Sequence, residues 1–503
     1  MTLTTSSFFA FLLVTLVLFY VFRPIQKYIL LTASIWFYFC ISSINVIKLS
    51  LLIVIIGLVS YIGALLIERS KGAFRKLVFW SSISILVVLL FSFKYLFNIV
   101  SSIAILIASH SDFSFLKLGA VIGMSYFTLS AIGYLIDVYW ENSRAETNPA
   151  NVFLFIFFFP QLISGPVTRF GKMNPQFSEV RTLDPDRILL GIRRMCLGYF
   201  KKLVISDRFS IIVDSVYCNY SEFSFAGIIA ATLCYAVQLY TDFSGCMDII
   251  MGAASLFGID LPENFNAPFF SETIKEFWQR WHITLGLWFK DYLMYPIQKT
   301  AFVQNLSKKA KKAFGKKAGK KIPLYISMFC LWFLLGLWHG GTVIFMIASG
   351  IMPFVLLTLS DICQPLFGTI VNKLKINTAN PGWKAFRMIR TLLLVCAIWM
   401  VVCSGEIHNC LNIIKHAFTH PIALTSPFTA VAAFGLTACD IILMAFGLIL
   451  LFISDLAVYK GYTIFSVTDK LKKPFRIIAV YIEVFIIFAF GLVGQSPFIY
   501  FQF

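Results

Sequence analysis

The chain has 503 residues, 59% hydrophobic and 13% charged, a composition that excludes an ordinary soluble domain and points to an all-α, polytopic integral membrane protein. Its formal net charge of +18 sits mostly in loops beside apolar runs, which reads as membrane topology and attraction to anionic lipid, not as nucleic-acid binding. Eleven cysteines include no CxxC pair, so neither a disulfide framework nor a metal site is expected.

Apolar runs able to cross ~30 Å of hydrocarbon recur along the whole chain. Candidate spans lie near residues 8–22, 28–43, 47–66, 77–96, 118–139, 150–166, 225–241, 322–338, 342–360, 391–404, 436–458 and 477–494, about ten to twelve in all. The opening MTLTTSSFFAFLL lacks the basic stretch and small-residue cleavage site of a signal peptide, so its first apolar run is expected to stay as a span. Short loops rich in Lys and Arg stay cytoplasmic. Four segments qualify: 68–76, 169–208, 305–322 and the KLKKPFR run at 470–476. Counting from them puts both the first residues and the PFIYFQF segment outside. The whole chain, 1–503, reads as one integral domain, with 242–341 its motif-rich catalytic region and 305–322 a Lys-rich cytoplasmic loop carrying eight lysines and no acid.

Residues 242–300 are too polar for a lipid-facing helix yet lie between strong spans. Such segments are tolerated at membrane depth when they are buried in protein or line a cavity, and a reaction chamber is expected there. In EFWQRWHITLGLWFKDYLMYP, a helical spacing puts Trp278, Trp281 and His282 on one face, an aromatic wall for an imidazole. An interfacial aromatic belt with snorkelling Arg and Lys is the plainer reading of the same residues. His339 ends another span within GLWHGG. A lone histidine at a span end is more often structural, but ionisable residues inside a membrane are costly enough to read as functional.

Moving an acyl group from a thioester to a hydroxyl needs a base, a role neutral histidine suits near pH 7, and His339 can fill it. The tetrahedral intermediate needs donors aimed at its oxyanion. His282, Trp N–H groups, Asn264 and backbone amides are all candidates.

Taken together, SYFTLSAIGYLIDVYW (125–140), FFPQLISGPVTRF (158–170), GYFKKLVISDR (198–208), YAVQLYTDFSGCMDIIMG (235–252), LPENFNAPFFSETIKEFWQRWHITLGLWFKDYLMYP (261–296), GLWHGG (336–341) and PFIYFQF resemble the membrane-bound O-acyltransferases, in the branch that acetylates alginate and D-alanylates teichoic acid. The resemblance implies a bowl of helices around a central channel with re-entrant or short helices. It implies His339 as the catalytic histidine and His282 as a second site residue. It also implies positioning or substrate-binding roles for Trp338, Asn264, Asp291 and Trp281. The YLIDVY and FFPQLISGP blocks and the length look more like the polysaccharide-acetylating branch. The chain departs from the family's frequent pattern at Cys246, where an aromatic residue often follows SG, and at Gly341, where alanine often follows GLWHG.

The expectation is a multi-pass protein of the bacterial cytoplasmic membrane. It passes an acetyl group from a cytoplasmic thioester, acetyl-CoA, across the bilayer for O-acetylation of an extracytoplasmic polysaccharide. A partner acetyltransferase outside finishes the transfer, and the enzyme holds no bound cofactor or metal. The alternative is D-alanyl transfer from an acidic carrier protein to teichoic acid; the Lys-rich segment can serve either donor. A transporter or flippase predicts paired repeats in the two halves, and none is found.

Overall fold

The computed structural model describes all residues except 43, 97–99, 101–120, 421–433, 464, 466–471, 495–496 and 500–503. The start of the expected span at 118–139, parts of the 470–476 run and the end of PFIYFQF therefore lie outside the described residues. Among those described, every regular element is a helix, as a hydrocarbon solvent requires: each backbone N–H and C=O must be satisfied without water. The protein is a multi-pass membrane protein.

Seven of the described helices are long and apolar enough to cross a membrane, or eight if one bent pair counts as a single span. Ten to twelve were expected from the apolar runs, and bends and splits account for part of the difference. The first two runs become Ser6–Val21 and Gln26–Ile41, bent by 111° at a break that contains Pro24; proline has no N–H to carry the helical ladder through. The run at 150–166 divides into Pro149–Phe157 and Phe159–Leu162.

Contacts gather in two units, Met1–Met195 with Met247–Pro262, and Cys196–Cys246 with Glu263–Phe503. In the first, Val46–Arg69 packs against Gly72–Phe91 and Met124–Tyr139. A side chain at Gly57 would overlap the Phe153 ring, 2.2 Å away, and that ring would have to move.

Part of the polar stretch expected to form the chamber continues a helix, Phe225–Leu256, whose residues up to Cys246 belong to the second unit. Its polar side chains turn into protein: Asp242 and Ser244 are buried. Lys202, itself buried, stands 2.7 Å from Asp242 and 2.9 Å from Asp207. The backbone N–H of Ile499 donates to the other Asp242 oxygen at 2.8 Å, and the lysine ammonium lies over the Phe498 ring. Charges this deep persist only when paired and hydrogen-bonded.

The Lys-rich stretch is a helical hairpin, not the expected loop. The helix Ala301–Trp338 contains one non-helical residue, Gly315, at φ 84° and ψ 176°. Lysine and alanine are good helix formers, so a low-complexity polar sequence of this kind folds back on itself at a single glycine that accepts the positive φ. Pro323 cannot bond the carbonyl of residue 319 four positions back; the Ser307 hydroxyl, on the other arm, donates to the Gly319 carbonyl at 2.5 Å instead.

Candidate active site

The site is built on the segment 263–300 and the helix 316–338, both in the second unit. Thr273 starts the helix Ile274–Arg280 by accepting the Glu276 N–H at 3.1 Å, and Glu276 returns a bond to the Glu272 N–H at 2.8 Å. The helix stops at Trp281, which is extended at φ −102° and ψ 127°. His282 then takes the left-handed conformation, φ 47° and ψ 51°, before Ile283–Phe289 begins. A non-glycine residue held there costs on the order of 1–3 kcal/mol and persists only where its surroundings hold it. The single helix expected through Trp278, Trp281 and His282 is therefore broken at Trp281, although all three still face one cavity.

The hold on His282 comes from Asn264. Two backbone bonds, Asn266 N–H to Arg280 C=O at 3.0 Å and Ile283 N–H to Asn264 C=O at 2.9 Å, lay residues 264–266 alongside 280–283. This brings the Asn264 Oδ1 within 3.1 Å of the Thr284 N, 2.8 Å of the Thr284 hydroxyl and 3.2 Å of the His282 Nδ1. Both Asn264 and His282 are buried. The Phe243 ring meets the imidazole edge to face, with centroids 4.8 Å apart. Trp281 is packed between Phe265 and Trp399, at 5.0 and 4.9 Å, and stacks on Phe277.

His339 caps the end of the helix Ala301–Trp338, its N–H bonded to Leu335 C=O at 3.0 Å. The helix end is fixed by a close backbone approach: a Cβ on Gly336 would lie 3.0 Å from the Gly350 Cα and 3.1 Å from the Phe345 carbonyl oxygen. The half-buried imidazole sits 5.0 Å from the Trp338 ring, edge to face.

His282 and His339 both line one cavity of about 1000 Å³, and they are close enough for the charge of one to act on the other. Trp281 lines it too. Asn264 lies behind His282, and Trp338 behind His339; neither is part of the cavity wall. Asp291 is half-buried on the turn Lys290–Met294, and the wall includes Lys290 and Met294 but not Asp291.

The cavity is long. Leu324, Tyr325, Met328, Leu331, Trp332, Leu335 and His339 all line it, spaced by threes and fours along one helix face. At ~1.5 Å per residue, Tyr325 and His339 stand about 20 Å apart. Between them the wall is apolar, with Trp278 and Trp332 edge to face at 5.1 Å. Among the described residues the Trp278 indole nitrogen is buried without a protein acceptor. The far end is polar: the Tyr325 hydroxyl donates to Asp361 Oδ2 at 2.5 Å, and the Lys321 ammonium stands 2.8 Å from the same oxygen. Lys275, also in the wall, is near enough for its charge to act on Asp361. Motif reading did not mark this cluster, because its members come from three helices and no one stretch of sequence carries them.

Residues 76–308 match the membrane-bound O-acyltransferase family. The matched stretch includes Asn264 and His282; His339 lies beyond it. The chain is 32% identical over 287 residues to the probable alginate O-acetylase of Pseudomonas syringae pv. tomato, covering 57% of this chain and 49% of that protein. It is 31% identical over 346 residues to the peptidoglycan O-acetyltransferase of Helicobacter pylori, covering 63% and 61%. To the teichoic acid D-alanyltransferase of Bacillus subtilis it is 26% identical over 290 residues, covering 57% and 70%. The chain spans about half the length of the alginate O-acetylases it matches. The resemblance read from the motifs thus stands.

Proposed function

From the match of residues 76–308 to the membrane-bound O-acyltransferases, we propose that this chain is a membrane O-acyltransferase of the bacterial cytoplasmic membrane. It passes an acetyl group from a cytoplasmic thioester across the membrane for O-acetylation of an extracytoplasmic polysaccharide. The observation that carries the reading is that two histidines far apart in sequence, His282 and His339, line one elongated cavity.

In this reading the acceptor hydroxyl attacks the thioester carbonyl carbon while His339 takes the hydroxyl proton. The tetrahedral intermediate collapses, the C–S bond breaks, and the imidazolium returns its proton to the departing thiolate. The apolar bore of about 20 Å fits an extended pantetheine arm with its thioester at the histidines. The lysines at the other end, Lys275 and Lys321, then meet its phosphate. Acetyl-CoA is the donor that fits this description most simply, and a partner acetyltransferase outside completes delivery to the polysaccharide.

A second reading, D-alanyl transfer from an acidic carrier protein, is favoured by the relatives named as teichoic acid D-alanyltransferases and by the eight lysines of the hairpin. One experiment separates the two. The full chain in liposomes is offered radiolabelled acetyl-CoA, and in parallel a D-alanyl-loaded carrier, on the face that carries the Lys-rich hairpin. Label on an added acceptor from acetyl-CoA, lost in His339→Ala, supports acetyl transfer; label from the carrier alone moves the assignment to D-alanylation. A His339→Ala protein that keeps most of the activity overturns the role given to His339.

A further inference from the structure

The first two helices, Ser6–Val21 and Gln26–Ile41, enclose a cleft of about 870 Å³, roomy enough for a ligand and unused by the acyl-transfer chemistry. Phe11, Val14 and Leu18 line one side and Tyr28, Ile29 and Trp36 the other, at the threes and fours of a helix face. The Thr15 hydroxyl is also in the wall, but it donates to the Phe11 carbonyl of its own helix at 2.7 Å. Such walls suit hydrocarbon. One end differs. The break between the helices, beside Leu18, Ile25 and Tyr28, carries Arg23, which is exposed, and Lys27, which is half-buried. The Lys27 ammonium lies over the Tyr28 ring, 5.3 Å from its centroid. Among the described residues neither cation forms an ion pair, whereas Arg181 pairs with Glu179 and Arg187 with Asp260. Gln26 ties this end to the basic segment 169–208: its side chain accepts the Arg181 N–H and donates to the Arg181 carbonyl, each at 2.8 Å. Basic segments between spans stay cytoplasmic, so the two cations stand at the cytoplasmic headgroup layer.

We propose that this cleft binds an anionic phospholipid of the cytoplasmic leaflet, with its chains between the two helices and its phosphate at Arg23 and Lys27. Length and charge together select the occupant. The walls run from Ser7 to Leu18 and from Tyr28 to Cys40, about 16 and 18 Å at ~1.5 Å per residue. One leaflet of hydrocarbon is about 15 Å deep, half of ~30 Å. A spanning helix of a partner protein would find a wall for only half its length, whereas lipid chains are matched from end to end. The cations at the headgroup end complement a phosphate, and the cytoplasmic leaflet is the one whose surface is made negative by its lipids. A zwitterionic lipid fits the walls as well but brings its own cation to Arg23 and Lys27, and so binds more weakly.

Native mass spectrometry of the full chain in detergent, titrated with dioleoyl phosphatidylglycerol or dioleoyl phosphatidylcholine, reads occupancy and headgroup preference together. The expected result is one saturable phosphatidylglycerol, held about tenfold or more tighter than phosphatidylcholine. Arg23→Gln combined with Lys27→Gln should weaken phosphatidylglycerol binding by about thirtyfold and leave phosphatidylcholine unchanged. Ala33→Trp, which fills the cleft behind the headgroup end, should weaken both lipids. Excess glycerol 3-phosphate, a headgroup without chains, should displace neither. Equal affinity of the unaltered chain for the two lipids overturns the proposal and needs no variant to fold. Displacement by glycerol 3-phosphate, unchanged phosphatidylglycerol binding in either variant, or a copurifying membrane polypeptide that excludes the lipid overturns it as well.

Discussion

The helix 316–338 ends in two different kinds of construction. At His339 it is held by backbone against backbone: a Cβ on Gly336 would press tightly on the Gly350 backbone, and the facing His282 is fixed by a buried three-bond acceptor. At the other end the lysines of the hairpin are exposed, all but Lys321, and the ordered contacts are an ion pair and a hydroxyl bond to Asp361. Short-range packing is needed where reacting atoms must be placed to within a fraction of an ångström. Charge acts over a Debye length of about 8 Å and tolerates motion, which suits gathering an anionic donor.

The comparison breaks first at its packed end. His339→Ala should reduce acetyl transfer by about a hundred- to ten-thousandfold, without lowering the amount of folded protein in the membrane as read by size-exclusion chromatography of the solubilised chain. Gly336→Ala is next. Its methyl group meets backbone and not a flexible side chain, so it should destabilise by about 1–3 kcal/mol and displace His339. A thermal-unfolding midpoint that falls together with kcat would confirm this; an unchanged midpoint would show that the two helices part easily and that the packed end is softer than described.

The charged end should respond more weakly and in a different parameter. Lys321→Met should raise KM for acetyl-CoA by about tenfold and leave kcat and the KM for acetylpantetheine, which has no phosphate, as they are. Lys316→Gln combined with Lys317→Gln should change the acetyl-CoA KM by about threefold or less, an effect that disappears in high salt. If these lysine variants instead lower kcat as strongly as the histidine variant does, the division between the two ends fails.

Much of the packed end was legible in the sequence. GLWHGG announces close packing beside a histidine, and an imidazole between tryptophans asks for a partner. Asn264 could be named as a positioning residue from its motif, but its contact with His282 depends on two backbone bonds and on a helix that stops at Trp281, which local spacing does not reveal. A periodic reading carries a helix straight through positions 278–282, because nothing in residue type marks a histidine that will take positive φ. The polar end was less legible. Lysine repetition resembles a solvated loop, while its helical form rests on propensity summed over many residues and on the single turn at Gly315. The cluster of Lys275, Lys321, Tyr325 and Asp361 exists only once three helices are assembled.

The pairing of Lys202 with Asp242 orders events in time. The amide of Ile499 that completes the coordination of Asp242 lies 257 positions further along the chain. At ~5–20 residues per second, the ribosome reaches it on the order of ten to fifty seconds after Asp242. Throughout that interval the buried carboxylate lacks one of its donors, so this part of the fold reaches its final arrangement only after residue 499 has been made. A nascent protein halted before residue 499 would therefore carry an incompletely satisfied buried charge, the kind of defect that membrane quality control is placed to detect.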